Sequence, residues 1–490
     1  MTMHTWTAGH LPGLDAQEVA WHTLPFAAAG ERLEVRVPVL QPAQLTALAR
    51  RVKAASAQHL KPLTVSRIVQ IVDAAVARLL DPADPFRREA ERLLPVVSGY
   101  DAEMVRLGLD GFLQAFRAAQ LHRFVAEDFA NPKVLDEFQP AAKGGLVRAF
   151  GPDLLVHSWA GNVPALPLWS LACGLLVKAG TFGKLPSAEP VFASLFARLL
   201  AEVHPPLADC LAIAWWKGGD AQSAAAVFAE ADTVLAYGGN QAIAQVRAQV
   251  PVTTRFIGYG HKLGFGLVGK AALDTQRGPA TARLAAHDIV RYEQQGCYSP
   301  HHFYVERGGR VDPRAFAHYL AAELANLQQQ FPRRALALEE AAALAGWRQS
   351  AEVRMLADDG CELVGDAQVA WSVVYSDRAQ PLAPTGGGRS IHVSAVDALD
   401  EVVALAAPHA AFLQTVGIAC QPQQLYRLAE ALGQVGVTRV CALGAMTAPE
   451  AGWHHDGRFN LADLVRMVEI EAGAERAADR LAPYAQEHLP

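Results

Sequence analysis

The residues best suited to covalent chemistry lie in Gln294-Gln295-Gly296-Cys297, between a helical pattern over Ala280 to Glu293 and a strand pattern over Phe303 to Val305. A thiol on such a connection can meet a substrate carbonyl, and Gly296 leaves out a side chain beside the sulfur. A backbone N–H there can face the oxyanion that forms when sulfur adds to the carbonyl. Spacing alone leaves two readings of Cys297 level: a nucleophile, or an inert small apolar residue. The second fits Cys173 and Cys210, which sit inside apolar runs.

Asn162, in Gly161-Asn162-Val163-Pro164, falls on a strand-to-helix turn. Its amide either donates to a ligand or bonds the local backbone, and the turn by itself favours the backbone. Lys184 follows a short strand, where its ammonium can reach ribose or phosphate oxygens or simply solvent. Ser187 is suited to cap the next helix, with Glu189 and Pro190 in its first turn. Gly238-Gly239 ends a strand and opens a helix, so it is either a close-approach point for a flat or anionic ligand or a plain turn.

His301-His302 and His454-His455-Asp456 suggest metal ligands at first sight. Neighbours on a strand face opposite ways and no further ligands stand at a known spacing, so no metal site is expected. His454 to Gly457 reads as a turn before a helix capped by Asn460, with Asp463 in its first turn. The chain has neither Gly-x-Ser-x-Gly nor His-Glu-x-x-His, which removes the main support for a serine hydrolase or a zinc peptidase.

The elements that must position these groups are legible as periods. Leu33, Val35, Val37 and Val39 alternate with polar residues and Pro38, which predicts a half-buried strand at a sheet edge. Ile68, Val72 and Val76 line one face of a helix between Thr64 and Asp81, and helical patterns run on from Ala102 to Phe129. The first 140 residues are therefore expected to be mainly helical, a scaffold or an oligomer arm. From residue 150 the pattern alternates. Strands are predicted at 154–159, 181–185, 211–216, 233–237 and 252–257, with helices between them, including 165–177, 221–231 and 240–249. This outlines a doubly wound nucleotide-binding unit, yet Gly-x-Gly-x-x-Gly is missing after its first strand. Gly258-Tyr259-Gly260 reads as a turn, and residues 265–445 as a second α/β unit.

Composition narrows the classes. Lys and Arg number 43 against 49 Asp and Glu in 490 residues, a net charge of −6 that leaves no basic excess to neutralise a nucleic-acid backbone. Six scattered cysteines without a Cys-x-x-Cys pair point to reduced thiols and a cytoplasmic protein. Met1 to Gly13 lacks the charged and apolar regions of an export signal. Leu154 to Val177 has no charged residue, but Gly161, Asn162, Pro164 and Pro167 interrupt it, so no membrane span is expected.

Taken in order, Gly161-Asn162-Val163-Pro164, Lys184 with Pro186-Ser187, Tyr237-Gly238-Gly239-Asn240 and Gln295-Gly296-Cys297 resemble the landmarks of the aldehyde dehydrogenase superfamily. The segments Tyr292 to His301, Pro384 to Ile391 and His455-Asp456-Gly457 resemble more closely the long-chain acyl-CoA reductases, whose best-known members supply aldehyde to bacterial luciferase. The resemblance runs from about residue 150 to 470. It implies an α/β fold of aldehyde dehydrogenase type, with a helical N-terminal region and Rossmann-like cofactor domain over 1–262. A catalytic domain over 263–445 follows, then a C-terminal segment, 446–490, returning to the cofactor domain or to an oligomer interface. It implies Cys297 as nucleophile, Asn162 as oxyanion donor, and Lys184, Ser187, Gly238 and Gly239 as part of the dinucleotide site. It further implies NADPH, with NADH as the alternative, coenzyme A as part of an acyl-CoA substrate, an acyl-protein synthetase as partner, and a homo-oligomer.

One departure bears on the reaction. Where oxidising members carry Glu-Leu-Gly-Gly-Lys, this chain has Gly258-Tyr259-Gly260-His261-Lys262-Leu263-Gly264, without the glutamate that activates hydrolytic water. A thioacyl-enzyme lacking that base should last long enough to be reduced or passed to coenzyme A. His261 is then either a substitute base or proton donor, or an ordinary turn histidine. Leu185 is an insertion relative to Lys-Pro-Ser-Glu, so no acid is placed on the adenosine ribose. The expected reaction is acyl-CoA reduction to aldehyde. The rivals are an NAD(P)-dependent aldehyde dehydrogenase and a non-redox acyl-accepting subunit of a fatty acid reductase complex.

Overall fold

Five parallel strands form one sheet, in the order Arg255–Tyr259, Thr233–Tyr237, Leu154–Ser158, Gly180–Lys184, Leu211–Ala214. The computed structural model in which they are seen describes residues 3–28, 30–365 and 368–482. Leu154–Ser158 is buried on both faces, His157 and Ser158 included, as befits a central strand of a parallel sheet. Leu155 joins the helices Pro167–Leu176 and Phe192–Val203 in one core, while Leu154 and Val156 join Pro42–Ala55 and Ala221–Phe228 in another. The chain leaves this central strand toward one side first and returns on the other. The crevice at its carboxyl end, beside Thr233–Tyr237, is the place where such sheets take ligands.

A second sheet orders seven strands as Cys361–Val364, Ser372–Ser376, Ser390–Val396, Pro300–Glu306, Leu263–Val268, Leu413–Ala419 and Arg439–Ala442. The first runs antiparallel to its neighbour and the rest pair in parallel. A small sheet joins Arg466–Ile470 to Leu146–Phe150 and Gln139–Pro140. Of the C-terminal segment expected over 446–490, residues 483–490 lie outside the described residues. Among the described residues no helix is long and apolar enough to cross a membrane.

The N-terminal region holds the expected helix Val65–Leu80, whose Ile68, Val72, Val76 and Leu79 are fully buried at roughly 1.5–3 kcal/mol each. It also holds a three-stranded sheet that helical character alone did not show: Met3–Thr7, Glu31–Val39 and Ala20–Ala28. Glu31–Val39 is its middle strand, not its edge. Pro38 is tolerated there because pairing with Met3–Thr7 stops at Arg36, so the missing N–H breaks no ladder bond on that side. Gly258-Tyr259-Gly260 is likewise not a turn, since Gly258 and Tyr259 end a strand in register with Ala236 and Tyr237. Nor does Asn460 cap a helix: it is buried, accepting from Trp169 Nε1 at 3.1 Å and donating to the Trp453 carbonyl at 2.8 Å.

Candidate functional site

A cleft of about 780 Å³ opens where the two large sheets meet. Strand ends of the first sheet line it through Ala160, Gly161, Tyr237, Gly238 and Gly239. The residues leading into strands of the second sheet line it through His261, Lys262, Tyr298 and Gly387. Cys297 sits in its wall and also borders a smaller, largely apolar cavity of about 90 Å³. That second cavity runs along the helix Ala102–Gln114 past Leu107, Gly111 and Phe112, with Trp169, Pro449 and Trp453 opposite. One sulfur therefore touches both a polar cleft and an apolar recess.

The loop that aims this sulfur is forced. Tyr292, Glu293 and Gln294 are consecutive non-glycine residues with φ of 55°, 54° and 59°, a left-handed run that costs about 1–2 kcal/mol per residue. Buried bonds hold it. The Glu293 carboxylate, fully buried, accepts from Arg389 Nη2 at 2.6 Å and Nε at 3.1 Å, while Arg389 Nη1 donates to Gln328 at 2.8 Å. Burial pushes the Glu293 pKa up, against the opposing pull of Arg389. The Gln294 amide donates to the carbonyls of Pro300 and Ser390 and accepts from the Ser390 N–H. Gly296 has a packing reason as well: a Cβ there would stand 2.3 Å from the Tyr298 ring.

Around the thiol the structure gathers residues far away in sequence. Gln414 Nε2 donates to Cys297 Sγ at 3.3 Å and to Asp456 Oδ1 at 2.6 Å. Lys262 Nζ is 3.7 Å from the other Asp456 oxygen. His455 Nε2 lies 3.9 Å from Sγ, its ring stacked on Tyr259, which stacks in turn on Tyr237. Burial pushes the Cys297 thiol up to about 11, with the Gln414 hydrogen bond opposing it. Burial lowers the pKa of His455, leaving its ring neutral around pH 7. Gln414 carries no signal in the sequence, and the adjacent His455-Asp456 pair reads there as a turn because its partners are 158 and 42 residues away.

Asn162 Nδ2 donates to the Gln295 carbonyl at 2.5 Å, so the amide reaches the nucleophile loop and keeps a second N–H. Tyr100 fixes that turn by donating to the Asn162 carbonyl at 2.6 Å. Gly238 and Gly239 line the cleft. Gly239 precedes the helix Asn240–Gln249, whose first turn has no side-chain cap, so its N–H groups are open to an anion. Lys184 and Ser187 are not among the residues lining the cleft. The Lys184 ammonium lies over the Trp216 ring at 5.7 Å, with its pKa lowered by burial. Ser187 accepts from Trp215 Nε1 at 3.0 Å and does not cap the next helix, which begins at Phe192. Glu189 does that work, accepting from the Val191 and Phe192 N–H groups at 2.8 and 2.9 Å, and burial pushes its pKa up to about 7. Of the clustered histidines, His301 faces the cleft and bonds Thr385, whereas His302 points the other way to Ser394. His261 lines the cleft with its pKa lowered by burial.

The single carboxylate lining the cleft among the described residues is Glu340, which accepts from Arg334 and Gln295. Burial would raise its pKa, but those bonds prevail and hold it below the ordinary range. It is a poor base for activating water.

Known proteins share this architecture. The chain is 23% identical over 472 residues to a long-chain acyl-protein thioester reductase of Vibrio harveyi, covering 94% of this chain and 93% of the relative. It is 28% identical over 424 residues to the protein of the same name from Aliivibrio fischeri, covering 84% and 83%. The fold superposes on an indole-3-acetaldehyde dehydrogenase, solved in complex with NAD+, with a TM-score of 0.74 at 15% identity, covering 95% and 96% of the two chains. The fold is thus that of the aldehyde dehydrogenases. With residues 60–467 matching it throughout, the chain belongs to the acyl-CoA reductase (LuxC) family.

Proposed function

We propose that this protein reduces a fatty acyl thioester, acyl-CoA in the first instance, to the aldehyde through a thioester on Cys297. The observation that carries the reading is the position of one thiol between a polar cleft with an open helix N-terminus and an apolar recess, with no free carboxylate beside it among the described residues. Cys297 attacks the thioester carbonyl, and its own backbone N–H with the spare Asn162 N–H holds the oxyanion, where losing one donor costs about 3 kcal/mol. The donor's thiol, coenzyme A or that of an acyl-carrying protein, leaves as its bond to the carbonyl carbon breaks. The second donor is the alternative, suggested by the name of the relatives, which are acyl-protein thioester reductases.

A reduced nicotinamide dinucleotide, when bound, supplies hydride to the thioester carbon. Gly238, Gly239 and the first turn of Asn240–Gln249 would hold its pyrophosphate, with Lys184 and Ser187 farther out along the same sheet. NADPH is the reading we favour over NADH. Glu189 is turned inward onto the Val191 and Phe192 N–H groups, so its carboxylate is not offered to a free ribose 2′-hydroxyl.

Incubation with acyl-CoAs of graded length and NADPH or NADH should yield aldehyde and free coenzyme A. Incubation with aldehyde and oxidised dinucleotide, without coenzyme A, should release no free acid. Rapid acid release would favour the oxidising rival, and acyl labelling without nucleotide binding the non-redox one.

The apolar recess would take the acyl chain. A Cβ at Gly111 meets nothing within 4 Å, so this position leaves room beside the recess. Gly111→Leu should fill that room. At about 0.8 kcal/mol per methylene displaced, kcat/KM for the longest accepted chains should fall by on the order of 100-fold while butyryl thioesters are unaffected. A chain-length profile that does not move would place the acyl group elsewhere.

A further inference from the structure

We propose that His455 is the acid–base residue that moves the proton of Cys297. The proposal rests on the thioacyl reading above and adds to it the group that carries the proton. The geometry is specific: His455 Nε2 is the ring nitrogen nearest Sγ, at 3.9 Å, and its plane is clamped by Tyr259 at 4.3 Å and Trp453 at 5.0 Å between centroids. Hydrogen bonds of this kind are often long before substrate is bound and tighten afterwards. His455 borders both cavities, so it flanks the place where a carbonyl carbon would meet the sulfur.

The groups facing His455 suit the role. On its own segment Asp456 lies 3.9 Å from Nε2, but its carboxylate is occupied by Gln414 and Lys262. It therefore favours a passing positive charge on the ring. Tyr237 and Tyr259 stack to one side, and burial holds both phenols well above their usual range. Arg439 stands behind Trp453, and Arg291 lines the far part of the apolar recess. A thiol raised by burial gives almost no thiolate at neutral pH unaided, and a neutral imidazole beside it supplies the missing base.

The proton balance closes. As sulfur bonds to the thioester carbon, the Cys297 proton passes to His455 Nε2. The tetrahedral adduct then expels the donor thiolate, which takes that proton and leaves as a thiol with His455 neutral again. After hydride addition, the hemithioacetal oxyanion re-forms the carbonyl and breaks its bond to sulfur, releasing aldehyde. The Cys297 thiolate is reprotonated through His455 by one proton from solvent, the proton that thioester reduction consumes.

The acylation half needs no dinucleotide and isolates the claim. Thiol release from butyryl-CoA, with iodoacetamide alkylation of Cys297 beside it, is followed from pH 6 to 10 in the parent and in His455→Gln. In the parent, both rates should rise through the His455 ionisation, below about pH 6.5, and then stay flat. In the variant, acylation at pH 7 should fall about 100- to 10,000-fold and then climb about tenfold per pH unit, as a lone thiol must. A parent rate that itself climbs tenfold per unit through pH 7 to 9 would overturn the proposal without reference to the variant, as would a folded variant with the parent profile. A parent that releases no thiol from any acyl-CoA would instead refute the thioacyl reading.

Discussion

Cys297→Ala should make no aldehyde and acquire no acyl group. Loss of a catalytic nucleophile typically costs about 10⁴-fold or more, because the remaining oxyanion donors have no adduct to stabilise. The substitution removes one half-buried sulfur atom whose partners, Gln414 and His455, are also held by Asp456 and Tyr259. Stability and dinucleotide affinity should therefore stay near parental values. Intact mass after incubation with acyl-CoA, read beside aldehyde formation, checks both halves. An alanine variant that forms aldehyde at the parental rate would end the thioacyl mechanism.

Arg389→Met should produce the largest loss of stability. The Arg389–Glu293 pair is fully buried, and deleting one partner strands a carboxylate, which costs about 3–5 kcal/mol in such settings. The damage reaches the chemistry because the pair secures three left-handed residues just before Cys297. Its sign with pH is fixed. With Arg389 gone, burial raises the Glu293 pKa in the folded state above its unfolded value. The folded variant then binds the extra proton, so its deficit is small below the ordinary carboxylate range and grows as pH rises through it. Urea unfolding at pH 4.5 and pH 8 measures this. Glu293→Gln combined with Arg389→Met should recover part of the deficit at pH 8, because no charge is then left stranded.

The first large sheet was legible because its elements are local. Leu211–Ala214 is a short unbroken apolar run, and Thr233–Tyr237 and Asn240–Gln249 fall where the strand and the helix are predicted. Cys297 was legible as a loop thiol for the same reason. What surrounds it was not. Gln414 and His455 reach the sulfur across 117 and 158 residues, and no local period records a contact of that range. Metal spacing and turn chemistry, the local readings of His455-Asp456, carry no information on what approaches the pair from elsewhere in the chain. Ser187 and Glu189 show a subtler limit. Both are suited to a helix start, but the helix begins only at Phe192, where the glutamate and not the serine reaches the first N–H groups. Pro38 misled because a proline excludes a ladder bond on one side only, and which side is occupied depends on where the neighbouring strand ends.

The distance in sequence between Cys297 and His455 has a consequence for biosynthesis. At about 5–20 residues per second, a ribosome needs roughly 8–30 s to add the 158 residues that separate them. Throughout that interval Cys297 is an ordinary solvated cysteine, and the environment that Gln414 and His455 give it is assembled only after translation has supplied both.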